Sequence, residues 1–251
     1  MMKSTSTYVV QLKRDLKPIS SPQKAAASQR FFPHKVALVG ASAVDIQTLI
    51  RRFHTENKEL DCTDALHISE LLLTSATYSE EKLLAFGLIN KWVKHHYKDG
   101  LLNRFEYWLK HYADNWALVD DLCIKTIYNF FLGRPYLIES IKHWAHSPVP
   151  WCRRASNVAW VKFVNRKIGK STYRLDKRLI FQNCDTLLTD TDEYVQKSVG
   201  WLLKVSAAEY EKDVLRYLQV NGINMPRSTI RYALEKIDPV TRQHLLSAIG
   251  E

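Results

Sequence analysis

The chain has 251 residues, 46% of them apolar, enough to bury a sizeable core as one domain or two. A formal net charge of +10 points to a polyanionic partner. Residues Met1–Asp15 lack the apolar core of a secretory signal, and no run of about 18 apolar residues offers a membrane span. The four cysteines (Cys62, Cys123, Cys152 and Cys184) form no C-x-x-C pair, which excludes a zinc ribbon or dithiol motif and suits a reducing cytoplasm.

Taken in chain order, helix starts recur while strand alternation is nearly absent. Residues 1–21 read as a lead-in, with a short hinge at Lys17–Pro22. Starts follow at Ser21-Pro22, Ser42, Thr63 before Asp64, Ser79 and Asn115. Stops fall at Lys98-Asp99-Gly100, Gly133-Arg134-Pro135 and Asn221-Gly222. This predicts about a dozen short helices and an all-α fold. The markers Ser79, Asn115, Pro150 and Asp192 are separated by 36, 35 and 42 residues. That spacing is close to the HEAT period and predicts an α-α superhelix of HEAT-like repeats, a curved solenoid with a concave face. An irregular helical bundle is the alternative. No second domain is expected, so residues 1–251 read as one helical-repeat domain.

The charge is concentrated. Between Trp151 and Arg178 stand nine basic residues against the single acid Asp176, a balance of +8 interleaved with Trp151, Trp160 and Tyr173. Within it, the helix opening at Pro150 carries Trp151 and Arg154 on one face and Arg153 on another. Arginine can hold phosphate oxygens through two parallel donors, although surface charge is the plainer reading of either.

The helix from Asn115 places Trp116 and Asp120 one turn apart, with Cys123 and Ile127 continuing the face. Asp120 then interrupts an apolar line and must be paired, capping or functional. Asp121 is expected to be solvated. In the helix from Tyr194, Val195, Val199 and Leu202 form a buried stripe. Tyr194, Lys197, Trp201 and Lys204 lie on a different face, where aromatic surfaces beside ammonium groups suit nucleic acid. His95, His96 and His111 lack metal-ligand spacing, and no phosphate loop or nucleophile elbow occurs. No metal and no cofactor are expected.

At these residues the chain resembles the AlkD family of alkylpurine DNA glycosylases. The resemblance is carried by Trp116-Ala117-Leu118-Val119-Asp120, a W-x-x-x-D pattern, by Trp151-Cys152-Arg153-Arg154, and by the stretch from Val195 through Trp201 to Lys204. Ser228 to Ile237 resembles the family's closing helix, and weaker similarity reaches back to Arg30-Phe31 and Leu38-Val39-Gly40. Phe31 stands where the family can have tyrosine, and Lys204 where it can have arginine.

The resemblance implies a concave surface for duplex DNA on which Trp116, Asp120 and Trp201 surround the lesion nucleotide as catalytic residues. DNA contacts are expected from Arg154, Arg153, Lys197, Lys204 and Phe31. The implied activity is monofunctional excision of cationic N3- or N7-alkylated purines in base excision repair, by a cytoplasmic monomer. Such a base is already a good leaving group, so a carboxylate that stabilises the developing sugar cation and orients water suffices. Two other readings stand beside this one. The first is a non-catalytic protein that recognises bent, branched or damaged duplex. The second is a scaffold for an acidic protein partner.

Overall fold

The computed structural model describes residues 4–250. Residues 1–3 and 251, assigned above to the lead-in and to the end of the repeat domain, lie outside the described residues. The described residues form thirteen α-helices and one two-stranded sheet. The chain divides into two compact units, Met1–Gly133 and Arg134–Glu251.

The first unit holds α1 (Thr5–Leu16), α2 (Pro22–Gln29), α3 (Ala43–Glu56), α4 (Cys62–Thr74), α5 (Ser79–Leu88), α6 (Leu101–His111), α7 (Trp116–Asp121) and α8 (Tyr128–Leu132). The stretch taken as a lead-in contains α1. Its Tyr8, Leu12 and Leu16 repeat every four residues and are buried, and the Tyr8 hydroxyl donates to Glu59 at 2.8 Å. The Lys17–Ile19 turn separates α1 from α2 where the hinge was expected. Ser21 and Ser42 cap α2 and α3 through their side-chain oxygens. The start placed at Thr63 is set by Asp61 instead, whose carboxylate accepts from the amides of Thr63 and Asp64. Helices α1, α3, α4 and α5 pack in pairs, and Phe86 stacks on Trp108 with ring centroids 5.8 Å apart.

The second unit opens on a 3₁₀ run, Pro135–His146, followed by α9 (Pro150–Val158), β1 (Asn165–Ile168), β2 (Ser171–Arg174), α10 (Lys177–Thr186), α11 (Glu193–Asn221), α12 (Arg227–Ala233) and α13 (Pro239–Gly250). The polar side chains of Ser156, Asn157, Asn183 and Ser198 are buried and bond to one another, fixing α9, α10 and α11 in register. Their pairing avoids the cost of unsatisfied buried polar groups. Gly200 allows α12 to lie against α11, since a Cβ there would come within 2.9 Å of the Thr229 carbonyl oxygen. Helix α11 bends at Tyr210, whose φ of −130° and ψ of 42° leave the helical region.

The hairpin was not foreseen. It is a small two-stranded exception within the expected all-α fold. Strands β1 and β2 pair antiparallel with Ile168 opposite Ser171, leaving a two-residue turn of Gly169 and Lys170. Gly169 takes a φ of 61°, the left-handed conformation a primed hairpin turn requires at its first position. Most hairpin side chains are exposed, so neither face needed the alternation that betrays a half-buried strand. Among the described residues, no helix is long and apolar enough to cross a membrane, and the four cysteines are free thiols.

Candidate nucleic-acid interface

In the first unit, the candidate site is built on α7. Asn115 caps this helix by accepting from the amides of Ala117 and Leu118, and its own amide donates to the buried Ser79 hydroxyl of α5 at 3.2 Å. The start of α7 is thereby fixed to the preceding repeat. Leu118 and Val119 point inward, leaving Trp116 and Asp120 half-exposed, one turn apart. The expected apolar line through Cys123 and Ile127 does not form. Residues Leu122–Ile127 widen into a π-helical turn, which breaks the 3.6-residue period on which that line rested, and Cys123 and Ile127 are buried whereas Trp116 and Asp120 are half-exposed.

Trp116 is braced by a segment far away in sequence. Its indole N–H donates to the Phe31 carbonyl at 3.3 Å, and its ring lies 5.7 Å from that of Phe32, tilted by 30°. Phe31 itself projects outward, 59% exposed, with the Arg30 guanidinium over its ring at 5.1 Å. Phe31 and Trp116 thus lie together in the first unit, with Asp120 one turn along α7 from Trp116. Phe32 was missed. Its only signal was adjacency to Phe31.

Asp121 differs from its expected solvated state. Its carboxylate is largely buried and pairs with the Lys125 ammonium one turn on. Burial pushes the Asp121 carboxyl above the ordinary carboxylate range, Lys125 opposes this, and the neighbouring Asp120 charge adds a smaller push upward.

In the second unit, α11 presents the face that its sequence predicted. Val195, Val199 and Leu202 are fully buried, whereas Trp201 and Tyr194 are half-buried and Lys197 is exposed. The Lys197 ammonium lies over the Tyr194 ring at 4.7 Å and pairs with Glu193 at 3.3 Å. Lys204 sits over the Tyr232 ring at 3.9 Å and meets Glu235 at 3.3 Å, with little exposure. Trp151 approaches Tyr194, with ring centroids 5.9 Å apart.

The two arginines of α9 depart from the expected phosphate contacts. Arg153 forms a two-point pair with Asp190, at 2.5 and 3.2 Å, and donates to the carbonyls of Ser147 and Pro148. Asp190 holds the Arg153 guanidinium above its ordinary pKa. Arg154 is only 5% exposed and donates to the Tyr194 carbonyl at 2.5 Å. Both guanidiniums are engaged inside the fold. Trp160, expected among the nucleic-acid aromatics, is core: it is fully buried and its indole donates to the Ile138 carbonyl.

The charge of the basic segment is likewise partly spent. Arg174 pairs with Glu209, Lys177 with Asp213 and Arg178 with Asp176. The hairpin residues Lys167 and Lys170 are exposed and meet no carboxylate among the described residues. No group of three histidine, cysteine or acidic side chains among the described residues is placed to hold a metal ion.

A family model described as "DNA alkylation repair enzyme" matches residues 12–237. Among solved structures, the chain is similar to a predicted DNA alkylation repair enzyme from Enterococcus faecalis. That match has a TM-score of 0.74 and 16% identity, and covers 88% of this chain and 97% of the other. The chain also aligns with the Pseudomonas fluorescens alkylpurine DNA glycosylase AlkC, solved bound to DNA containing an abasic site analog. Here the TM-score is 0.50 and the identity 15%, covering 96% of this chain and 65% of AlkC. At these identities the two structures bear on the fold, an all-α helical-repeat architecture. No curated protein sequence matches. Because the family model spans nearly the whole sequence, the chain belongs to the DNA alkylation repair enzyme family.

Proposed function

We propose that this protein is an AlkD-like, monofunctional DNA glycosylase that releases cationic N3- and N7-alkylated purines from duplex DNA in base excision repair. The observation that carries the reading is the Trp116–Asp120 pair, half-exposed on one side of α7, with Trp116 held by the Phe31 carbonyl and the Phe32 ring. A purine alkylated at N3 or N7 carries positive charge, so the aromatic face of Trp116 attracts it by cation–π interaction. As the glycosidic bond breaks, positive charge moves to the deoxyribose. The Asp120 carboxylate stabilises that charge and accepts a hydrogen bond from the attacking water. The alkylated base departs neutral, so no general acid is required. In the second unit, Trp201 offers the DNA a further aromatic contact, with Lys197 beside it as a phosphate contact. The working environment is the bacterial cytoplasm or nucleoid, and the protein acts as a monomer.

The direct test is incubation with duplex DNA holding one N7-methylguanine, followed by mild alkaline cleavage. Strand scission at that position is expected. No release at saturating protein and neutral pH overturns the glycosylase reading. It would leave a protein of this family that binds duplex without excising a base.

That second reading is favoured by the exposed basic hairpin. Binding to duplex DNA is expected to fall with salt at a log–log slope of about −5, as for about six phosphates neutralised. Replacing Lys167 and Lys170 together by alanine should flatten that slope by roughly 2. Both side chains are exposed, so the fold is expected to persist. A slope unchanged by the double substitution would remove the hairpin from the interface.

A further inference from the structure

Helix α2 and the extended segment after it, residues 33–40, fold back on one another. No side chain of α2 is buried, so its own packing does not fix where its end points. The start of the helix is tied down by main-chain bonds. The Ser21 amide donates to the Val39 carbonyl at 2.8 Å. The buried Glu80 carboxylate of α5 accepts from the Val39 and Gly40 amides at 3.1 and 2.8 Å. The adjacent Ser79 donates its amide to the Ala37 carbonyl at 2.9 Å, and its hydroxyl accepts from the side chain of Asn115, the cap of α7. One end of the fold-back and the start of α7 therefore share an anchor on α5.

The other end carries Phe31 and Phe32, the residues that meet Trp116. There one side chain ties the two limbs together. The Gln29 amide nitrogen donates to the His34 carbonyl at 2.7 Å, and its amide oxygen accepts from the Val36 amide at 3.0 Å. A carboxamide suits this task, because one flat group offers both a donor and an acceptor to the main chain. The Phe31 amide donates to the Ser28 carbonyl, and the Phe32 amide to the Gln29 carbonyl. Together these bonds close the chain into a tight loop around the two phenylalanines. Pro33, His34 and Lys35 are exposed, so little apolar burial supports that loop and the Gln29 clip is its main tie.

We infer that Gln29 is a positioning residue for Trp116. By closing the loop it sets the Phe31 carbonyl and the Phe32 ring, which in turn hold the indole in one orientation on α7. The consequence for catalysis rests on the glycosylase reading above, in which Trp116 must face the alkylated base while Asp120 meets the sugar. An indole released from its brace loses that alignment, and alignment of this kind governs large factors in rate.

The test uses the full chain labelled with 5-fluorotryptophan. Each of the seven tryptophans contributes one fluorine resonance, and Trp116→Phe identifies the one from Trp116. Gln29→Ala is expected to shift or broaden the Trp116 resonance and leave the others in place. Single-turnover excision of N7-methylguanine at saturating protein should fall roughly 10- to 100-fold. Affinity for undamaged duplex and the melting temperature should stay near wild type. Phe32→Leu removes the ring contact and leaves the clip intact, so it should move the same resonance and slow excision. The double variant should lose little more than the larger single, since both act through Trp116.

A Trp116 resonance unmoved by Gln29→Ala would overturn the inference. So would several tryptophan resonances moving together with a lowered melting temperature, the pattern of a general structural role. Excision by Gln29→Ala at the rate of an active wild type would also overturn it, while the glycosylase reading stood. A wild type that releases no N7-methylguanine would overturn that reading instead. The Trp116 resonance would then decide by itself whether Gln29 positions the indole.

Discussion

Asp120→Asn is expected to lower excision of N7-methylguanine roughly 10²- to 10³-fold, the scale seen when one preorganised electrostatic group is removed. The substitution keeps the side chain's size and removes its negative charge. Affinity for duplex DNA should hold or rise slightly, because an anion facing phosphate is repulsive. The side chain lies on the half-exposed side of α7, one turn from Trp116, while the inward positions Leu118 and Val119 carry the packing. The melting temperature should therefore change little. A structural Asp120 predicts the opposite pattern, with stability and binding falling together. Single-turnover excision and thermal melts on the same preparations separate the two. Equal activity of wild type and Asp120→Asn would remove Asp120 from the chemistry. The neighbouring Asp121 is the control. Its Lys125 pair and its burial make Asp121→Asn a probe of α7 geometry, distinct from charge at the reacting sugar.

The second large effect falls on stability. Arg153→Ala should destabilise the protein by about 2–3 kcal/mol, below the full cost of breaking a fully buried pair because Arg153 retains some exposure. That corresponds to a melting temperature lower by roughly 4–12 °C for a chain of this size. The guanidinium bonds both Asp190 oxygens and two carbonyls of the Ser147–Pro148 turn, so its loss strands an anion that is itself nearly buried. Asp190 also accepts from the Asp192 amide, and Asp192 caps α11. The damage should therefore reach the start of the helix that carries Trp201. Arg153→Ala combined with Asp190→Ala should cost less than the sum of the singles, as expected for partners in one pair. DNA affinity per folded molecule should stay near wild type. An unchanged melting temperature with weakened DNA binding would restore Arg153 to the interface as a phosphate contact.

Local chemistry made much of this protein legible in its sequence. Caps at Ser21, Ser42, Asn115 and Asp192 are written in residue types that satisfy the free amides of a helix start, and each cap stands where its residue type predicted. The division of α11 between the buried Val195–Val199–Leu202 stripe and the Tyr194–Lys197–Trp201 face follows from helical periodicity alone. So does the one-turn spacing of Trp116 and Asp120. These features depend on residues within a few positions of one another.

What the sequence could not decide depended on partners distant in the chain. The Arg153–Asp190 pair spans 37 residues, and Arg154 reaches a carbonyl 40 residues away. No pattern near α9 distinguishes an arginine held inside the fold from one offered to phosphate. The brace on Trp116 comes from Phe31 and Phe32, 85 residues earlier by the Phe31 carbonyl bond. The basic hairpin escaped because its exposed faces carry no hydrophobic alternation, and the π-helical turn after Asp121 because periodicity assumes a constant pitch. Sequence set the helices and the residue types at their faces. Only the tertiary structure decided which charges are neutralised internally and which remain for a ligand, because that balance is fixed by long-range packing and not by local propensity.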